Sequence, residues 1–145
     1  DCSQSRGLGD VYKRQPNVMA MAGFLVGDTK STIRMVNLLK FRKKASYEDG
    51  RKTDLSGREA YALYAKDVST IHLPKVGGKI IFSGIVSRLL IGEVEDMWDM
   101  IAIAEYPNKK AMLKMISDKD YRESEKHRSA GLEGQLNIET MDVIK

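Results

Sequence analysis

Residues 33–41, IRMVNLLKF, are apolar on both faces of an extended chain, and this stretch constrains the fold more than any other. Side chains alternate across a strand, so a strand wetted on one side reads apolar and polar in turn. Between Arg34 and Lys40, Met35, Asn37 and Leu39 form one set and Val36 and Leu38 the other, with only Asn37 breaking that inner apolar run. Such a strand belongs in the middle of a sheet, covered on both sides.

The rest of the chain supplies elements for that sheet. A polar loop over residues 42–55, with Tyr47, Asp49 and Gly50 as turn signals, leads to Ser56-Gly-Arg-Glu59. That is a capping box, in which the Ser56 hydroxyl accepts from the Glu59 amide while Glu59 reaches back. The following helix places Ala60, Leu63, Tyr64, Val68 and Ile71 on one stripe, and Pro74 with Gly77 and Gly78 end it. Residues 79–91 read as a long β-branched strand in which Gly84 permits a bulge. An acidic turn over 92–97 precedes a third strand over 98–106, stopped by Pro107. Asn108 caps a short helix with Ala111, Met112, Met115 and Ile116 inward. A second helical segment starts at Ser117 or Asp118 and closes at Gly131. Residues 135–144 alternate as a last strand, with Leu136, Ile138, Thr140 and Ile144 on one face. The order β-α-β-β-α-β predicts an α+β, ferredoxin-like domain, a four-stranded antiparallel sheet with helices on one face.

The other face should then be polar, and it is not. Ile80, Phe82, Val86 and Leu90 oppose Ile81, Ile85, Leu89 and Ile91, so the second strand, like the first, is apolar on both sides. An exposed patch of that kind marks an interface, and two sheets packed face to face as a homodimer cover it most simply.

Composition enters mainly by what it excludes. Lys and Arg are interleaved with Asp and Glu at a net charge of +4, so no run resembles a nucleic-acid arm. The basic cluster Lys40, Arg42, Lys43 and Lys44 reads as a solvated strand end. No apolar run reaches the ~20 residues of a membrane span. A single cysteine, Cys2, leaves no disulfide framework or cysteine-based zinc site, and the expected location is the cytoplasm. With two histidines, His72 and His127, and no ligand-like neighbour at i+4, a metal site is not expected. No nucleotide, hydrolase or metalloprotease motif occurs, and no cofactor is expected.

Residues 1–15, DCSQSRGLGDVYKRQ, show neither helical nor alternating periodicity and lack the apolar core of a secretory signal. GLGDVYKRQ resembles the translated sequencing-adaptor sequence that contaminates the ends of metagenomic gene fragments. We treat 1–15 as a non-native segment and 16–145 as one domain. The pattern over 16–32 is mixed, and Met19 or Met21 could be a true start.

MVNLLKF (35–41), the Tyr61 and Tyr64 helix, GGKIIFSG (77–84), WDMIAIAEYP (98–107), SDKDYRE (117–123) and HRSAGL (127–132) occur in order. Together they resemble domain of unknown function 1330, in the dimeric α/β-barrel superfamily, over residues 33–144. The departures are a longer loop over 42–55 and an extended strand over 88–91. The resemblance implies a ferredoxin-like dimer with a pocket between sheet and helices. In that superfamily such pockets serve cofactor-free monooxygenases, haem enzymes, isomerases and stress-response proteins, so fold analogy alone carries the functional step.

Six residues are candidates for such a pocket. Asn37 is an amide in an apolar strand and must find partners, either a ligand or an internal bond such as one to Tyr64. Tyr64 lies on the inward stripe and reads first as core packing. Trp98 could stack on a planar ligand or form the aromatic rim of a dimer. Tyr121 and Arg128, seven apart, share a helix face and suit an anionic or phenolic ligand. His127 beside them is a weak candidate general base. His72 is read as a helix C-terminal residue meeting the dipole, and Glu105 as a strand-edge charge. The sequence thus predicts a dimeric small-molecule-binding protein. The alternatives are a cofactor-independent monooxygenase or isomerase of small phenolic or anionic compounds, and a structural or regulatory dimer without catalysis.

Overall fold

The computed structural model describes residues 18–143, so the 1–15 segment, Cys2 and Ile144 lie outside the described residues. Helix α1 (Val18–Leu25) opens the described chain, followed by β1 (Ile33–Phe41) and α2 (Gly57–Asp67). A π-helical turn, Val68–His72, and a last turn, Leu73–Lys75, prolong α2. Then come β2 (Lys79–Ile85), β3 (Met100–Tyr106), α3 (Lys109–Ser117), α4 (Lys119–Gly131) and β4 (Leu132–Thr140). The sheet order is β2-β3-β1-β4, all neighbours antiparallel, which is the ferredoxin-like arrangement.

Local chemistry sets the helix starts. Ser56 and Glu59 form the complete capping box, at 3.0 Å for the Ser56 hydroxyl and 2.9 Å for the Glu59 carboxylate. Asn108 caps α3 by accepting from the Ala111 amide at 2.8 Å. Asp118 breaks the second helical region in two and caps α4 through the Asp120 amide at 2.7 Å.

The main core lies between the sheet and α2, α3 and α4. Ile33, Met35, Ala104 and Tyr106 from the sheet meet Val68, Leu73, Met115 and Tyr121 from the helices. On the open face Val36 and Leu38 sit beside Ile101, Ile103, Leu136, Ile138 and Phe82 by strand register. Leu136, Ile138 and Phe82 are among the exposed large apolar residues.

Several expectations need correction. Residues 16–32 contain a helix, α1, where only a mixed pattern was legible. The second strand ends at Ile85 rather than Ile91, and its irregularity lies between Ile80 and Phe82 rather than at Gly84. The third strand begins at Met100, so Trp98 precedes it. There Asp99 turns its carboxylate to the Phe41 amide at 2.8 Å, which caps the end of β1. Ala60, Tyr64 and Val68 face the core as expected and Gly57 and Tyr61 join them, whereas Leu63 and Ile71 are exposed. The π-helical turn accounts for Ile71: its wider winding carries Ile71 outward and His72 inward. Glu105 lies in an interior strand, on the open face, 3.0 Å from Arg34.

Candidate functional site

Antiparallel pairing places Asn37 of β1 opposite Ala102 of β3 and Asn137 of β4, on the helix side of the sheet. Its amide nitrogen donates to the Ala102 carbonyl at 3.1 Å and to the Met35 carbonyl at 3.3 Å. Its carbonyl oxygen accepts from Gln135 Nε2 and Asn137 Nδ2, both at 2.8 Å. All of the bonds to Asn37 are therefore internal, and Tyr64 is not among its partners.

Gln135 passes the network on to helix α4, accepting from Arg128 Nη1. The Arg128 side chain is only 13% exposed, with Glu125 at 3.6 Å. Its guanidinium carbon lies 6.0 Å from the Tyr64 ring centre. Tyr64 and Tyr121 share a hydroxyl–hydroxyl bond of 2.9 Å. Burial raises the pKa of both phenols. Burial works against the Arg128 charge, yet Tyr64, Tyr121 and Glu125 around it more than offset this and its pKa is raised. A guanidinium keeps its charge at any ordinary pH, so Arg128 is a cation beside two buried phenols.

Rings continue the cluster in both directions. Phe41, Tyr61, Tyr64, Tyr121 and His72 follow one another with centroids 5.5 to 6.1 Å apart. His72 is buried, and its Nε2 lies 2.8 Å from the Ser124 hydroxyl, which itself donates to Asp67 at 2.8 Å. Since Ser124 has one hydrogen to give, His72 must donate from Nε2. His72 thus stands in the last turn of the π-helical segment, as expected, but buried, in a carboxylate–hydroxyl–imidazole chain.

The structure brings together Asn37, Tyr64, Tyr121 and Arg128 and leaves two candidates apart. His127 Nδ1 lies 2.6 Å from the Tyr47 hydroxyl, on the loop side of α4. Adjacent residues on a helix point about 100° apart, so sequence adjacency to Arg128 does not place His127 at the cluster. Trp98 is partly buried before β3 and makes no ring contact or side-chain hydrogen bond with a described residue. Gln135 and Asn137 were missed. Their signal was present, since they alternate with apolar Leu136 and Ile138 and so share a polar face of β4.

Two cavities lie elsewhere. An open hollow of about 620 Å³ is lined by the 44–54 loop, including Lys44, Tyr47 and Arg51. A smaller one of about 120 Å³ is lined by His72, Lys75, Val76, Lys114, Met115 and Asp118. Neither is lined by Asn37, Tyr64 or Arg128. No three His, Cys, Asp or Glu side chains among the described residues could hold a metal ion. No helix among them is long and apolar enough to cross a membrane.

Fold and cluster together define a ferredoxin-like α+β protein with a polar, tyrosine-lined core beneath its helices. It belongs to the family of the RPA0582 protein of unknown function from Rhodopseudomonas palustris. It is 36% identical to the crystal structure of that protein, covering 90% of this chain and 97% of the other, with a TM-score of 0.79. The methylated form of RPA0582 gives 38% identity over 90% and 96% of the chains, at a TM-score of 0.78. A dimeric protein of unknown function and ferredoxin-like fold from Bacteroides fragilis is 11% identical. That alignment covers 78% of this chain and 98% of the other at a TM-score of 0.45, a likeness too distant to carry an argument. No protein-family model and no curated protein matches the chain.

Proposed function

We propose that the protein is a homodimer that binds a small anionic or phenolic molecule at the Arg128 cluster. One observation supports the reading above all: a cation and two phenols converge in the space between sheet and helices, where apolar side chains would pack at lower cost. Burying a guanidinium and several hydroxyls is seldom the most stable solution for a core, so such groups are candidates for a functional role. The narrower likeness to domain of unknown function 1330 fits this reading, with Asn37 and Gln135 orienting Arg128. The open sheet face supports the homodimer. Its apolar centre is flanked by charges already matched within the chain, Arg34 with Glu105 and Lys40 with Asp99.

A specific observation favours a second reading, a structural dimer with a rigid polar core. Both amide hydrogens and the carbonyl oxygen of Asn37 are taken up by groups of the chain itself, and neither the 620 Å³ nor the 120 Å³ cavity is lined by it. Titration of the purified protein with benzoate and with phenol, followed by calorimetry, separates the two. Ligand binding predicts saturable heat that falls at least about tenfold in affinity in Arg128→Leu, a change of ~1.4 kcal/mol. The structural reading predicts no saturable heat with either compound. A cofactor-independent enzyme would need its base within reach of the ligand, and His127 stands with Tyr47 instead.

A further inference from the structure

Residues 86–99 leave the sheet as an arm between β2 and β3. Its base is fixed, because the Val86 amide donates to the Asp99 carbonyl at 3.0 Å. Lys40 Nζ donates to the Met97 carbonyl, also at 3.0 Å, and the Asp99 amide bonds the Leu39 carbonyl at 2.8 Å. Gly92, at φ +105°, turns the chain back. Yet the tip is apolar and in water, with Leu90 and Ile91 each 86% exposed, and Leu89 and Val94 also exposed. A tethered arm that holds such side chains in solvent has a surface to meet.

We propose that this arm clasps a second copy of the chain, with Leu89, Leu90 and Ile91 packing on the partner beside the open sheet face. The inference rests on the dimer proposed above and adds to it the element that completes the interface. The open face offers about a dozen outward-facing residues across four strands, whereas a stable interface uses ~20–30 residues a side. An arm of similar number brings the total into that range. Position argues for the same occupant. The arm leaves directly from β2, whose Phe82 lies beside Ile103 on the open face and is 53% exposed, so face and arm share one edge. A two-fold axis that pairs the faces gives each copy one arm to extend and one to receive.

Two variants test the clasp separately from the dimer. Sedimentation equilibrium measures the dimer constant of the wild-type chain, of Leu90→Asp/Ile91→Asp in the arm, and of Leu136→Asp on the face. Because the arm residues are exposed in the single chain, circular dichroism of the arm variant should match wild type. The expected result is a dimer near twice 16.3 kDa that weakens at least about tenfold in the arm variant. A face variant that dissociates beside an arm variant of unchanged constant overturns the clasp and leaves the dimer standing. A wild-type monomer overturns both. A photo-crosslinker replacing Leu90 should give a covalent dimer as its main product. Crosslinks confined to one chain, or made in extract chiefly to a different protein, overturn the proposal.

Discussion

Gly57 and Gly131 pack backbone to backbone where the start of α2 crosses the end of α4. A Cβ on Gly57 would lie 2.6 Å from the Gly131 carbonyl oxygen and 2.1 Å from that of Arg42. One on Gly131 would lie 2.3 Å from the Gly57 carbonyl oxygen. The Arg42 amide, which bonds the Gly131 carbonyl at 2.8 Å, and the Gly57 amide, which bonds the Arg42 carbonyl at 3.1 Å, close the junction. Neither glycine has a positive φ, so close approach alone requires them.

Gly131→Ala should therefore destabilise the fold by about 1–3 kcal/mol or more, since a rigid backbone must move to admit the methyl group. Urea unfolding measures it. A loss below about 0.5 kcal/mol, the range of an ordinary surface change, would show that the crossing is looser than described.

Asn37→Leu tests the amide network. The substitution leaves Gln135 and Asn137 without their shared acceptor and the Ala102 carbonyl without its side-chain donor. A loss of about 1–3 kcal/mol is expected, the usual cost of orphaning partly buried polar groups. A neutral or stabilising outcome would mean that the amide is retained for a ligand.

Ser56→Ala removes the side-chain half of the capping box. The Glu59 amide loses its acceptor at the start of α2, and unfolding should become easier by about 1 kcal/mol. Chemical denaturation of this exposed site reads the cap directly, and no change would mean that water replaces the hydroxyl at no cost.

The Tyr47–His127 contact should respond to acid. Burial lowers the His127 pKa, and the Arg51 guanidinium pushes the same way. The unfolded chain, at the ordinary value of about 6.5, then takes up its proton first. The stabilisation is complete above that value and is lost as pH falls through the lower folded pKa. Wild type should thus lose stability relative to His127→Gln between pH 7.5 and pH 5. Parallel stability profiles for the two proteins would contradict this.

Local pattern determined much of this protein. The apolar runs, the capping box from Ser56 to Glu59, the cap at Asn108 and the sharing of one helix face by Tyr121 and Arg128 depend on near neighbours. The same holds for the doubly apolar β1, whose two faces are set by alternation alone. Tertiary structure decided the rest, because it depends on partners far along the chain. Register chose Gln135 and Asn137, about a hundred positions away, as the donors to the Asn37 carbonyl oxygen where the sequence suggested Tyr64. The π-helical turn, a change of winding with no motif of its own, exchanged Ile71 for His72 in the core. The packing of the 42–55 loop on α4 gave His127 to Tyr47 rather than to Arg128. The end of pairing at Ile85 turned an apparent strand into an arm, since β propensity fixes what can pair but not whether a partner strand is there.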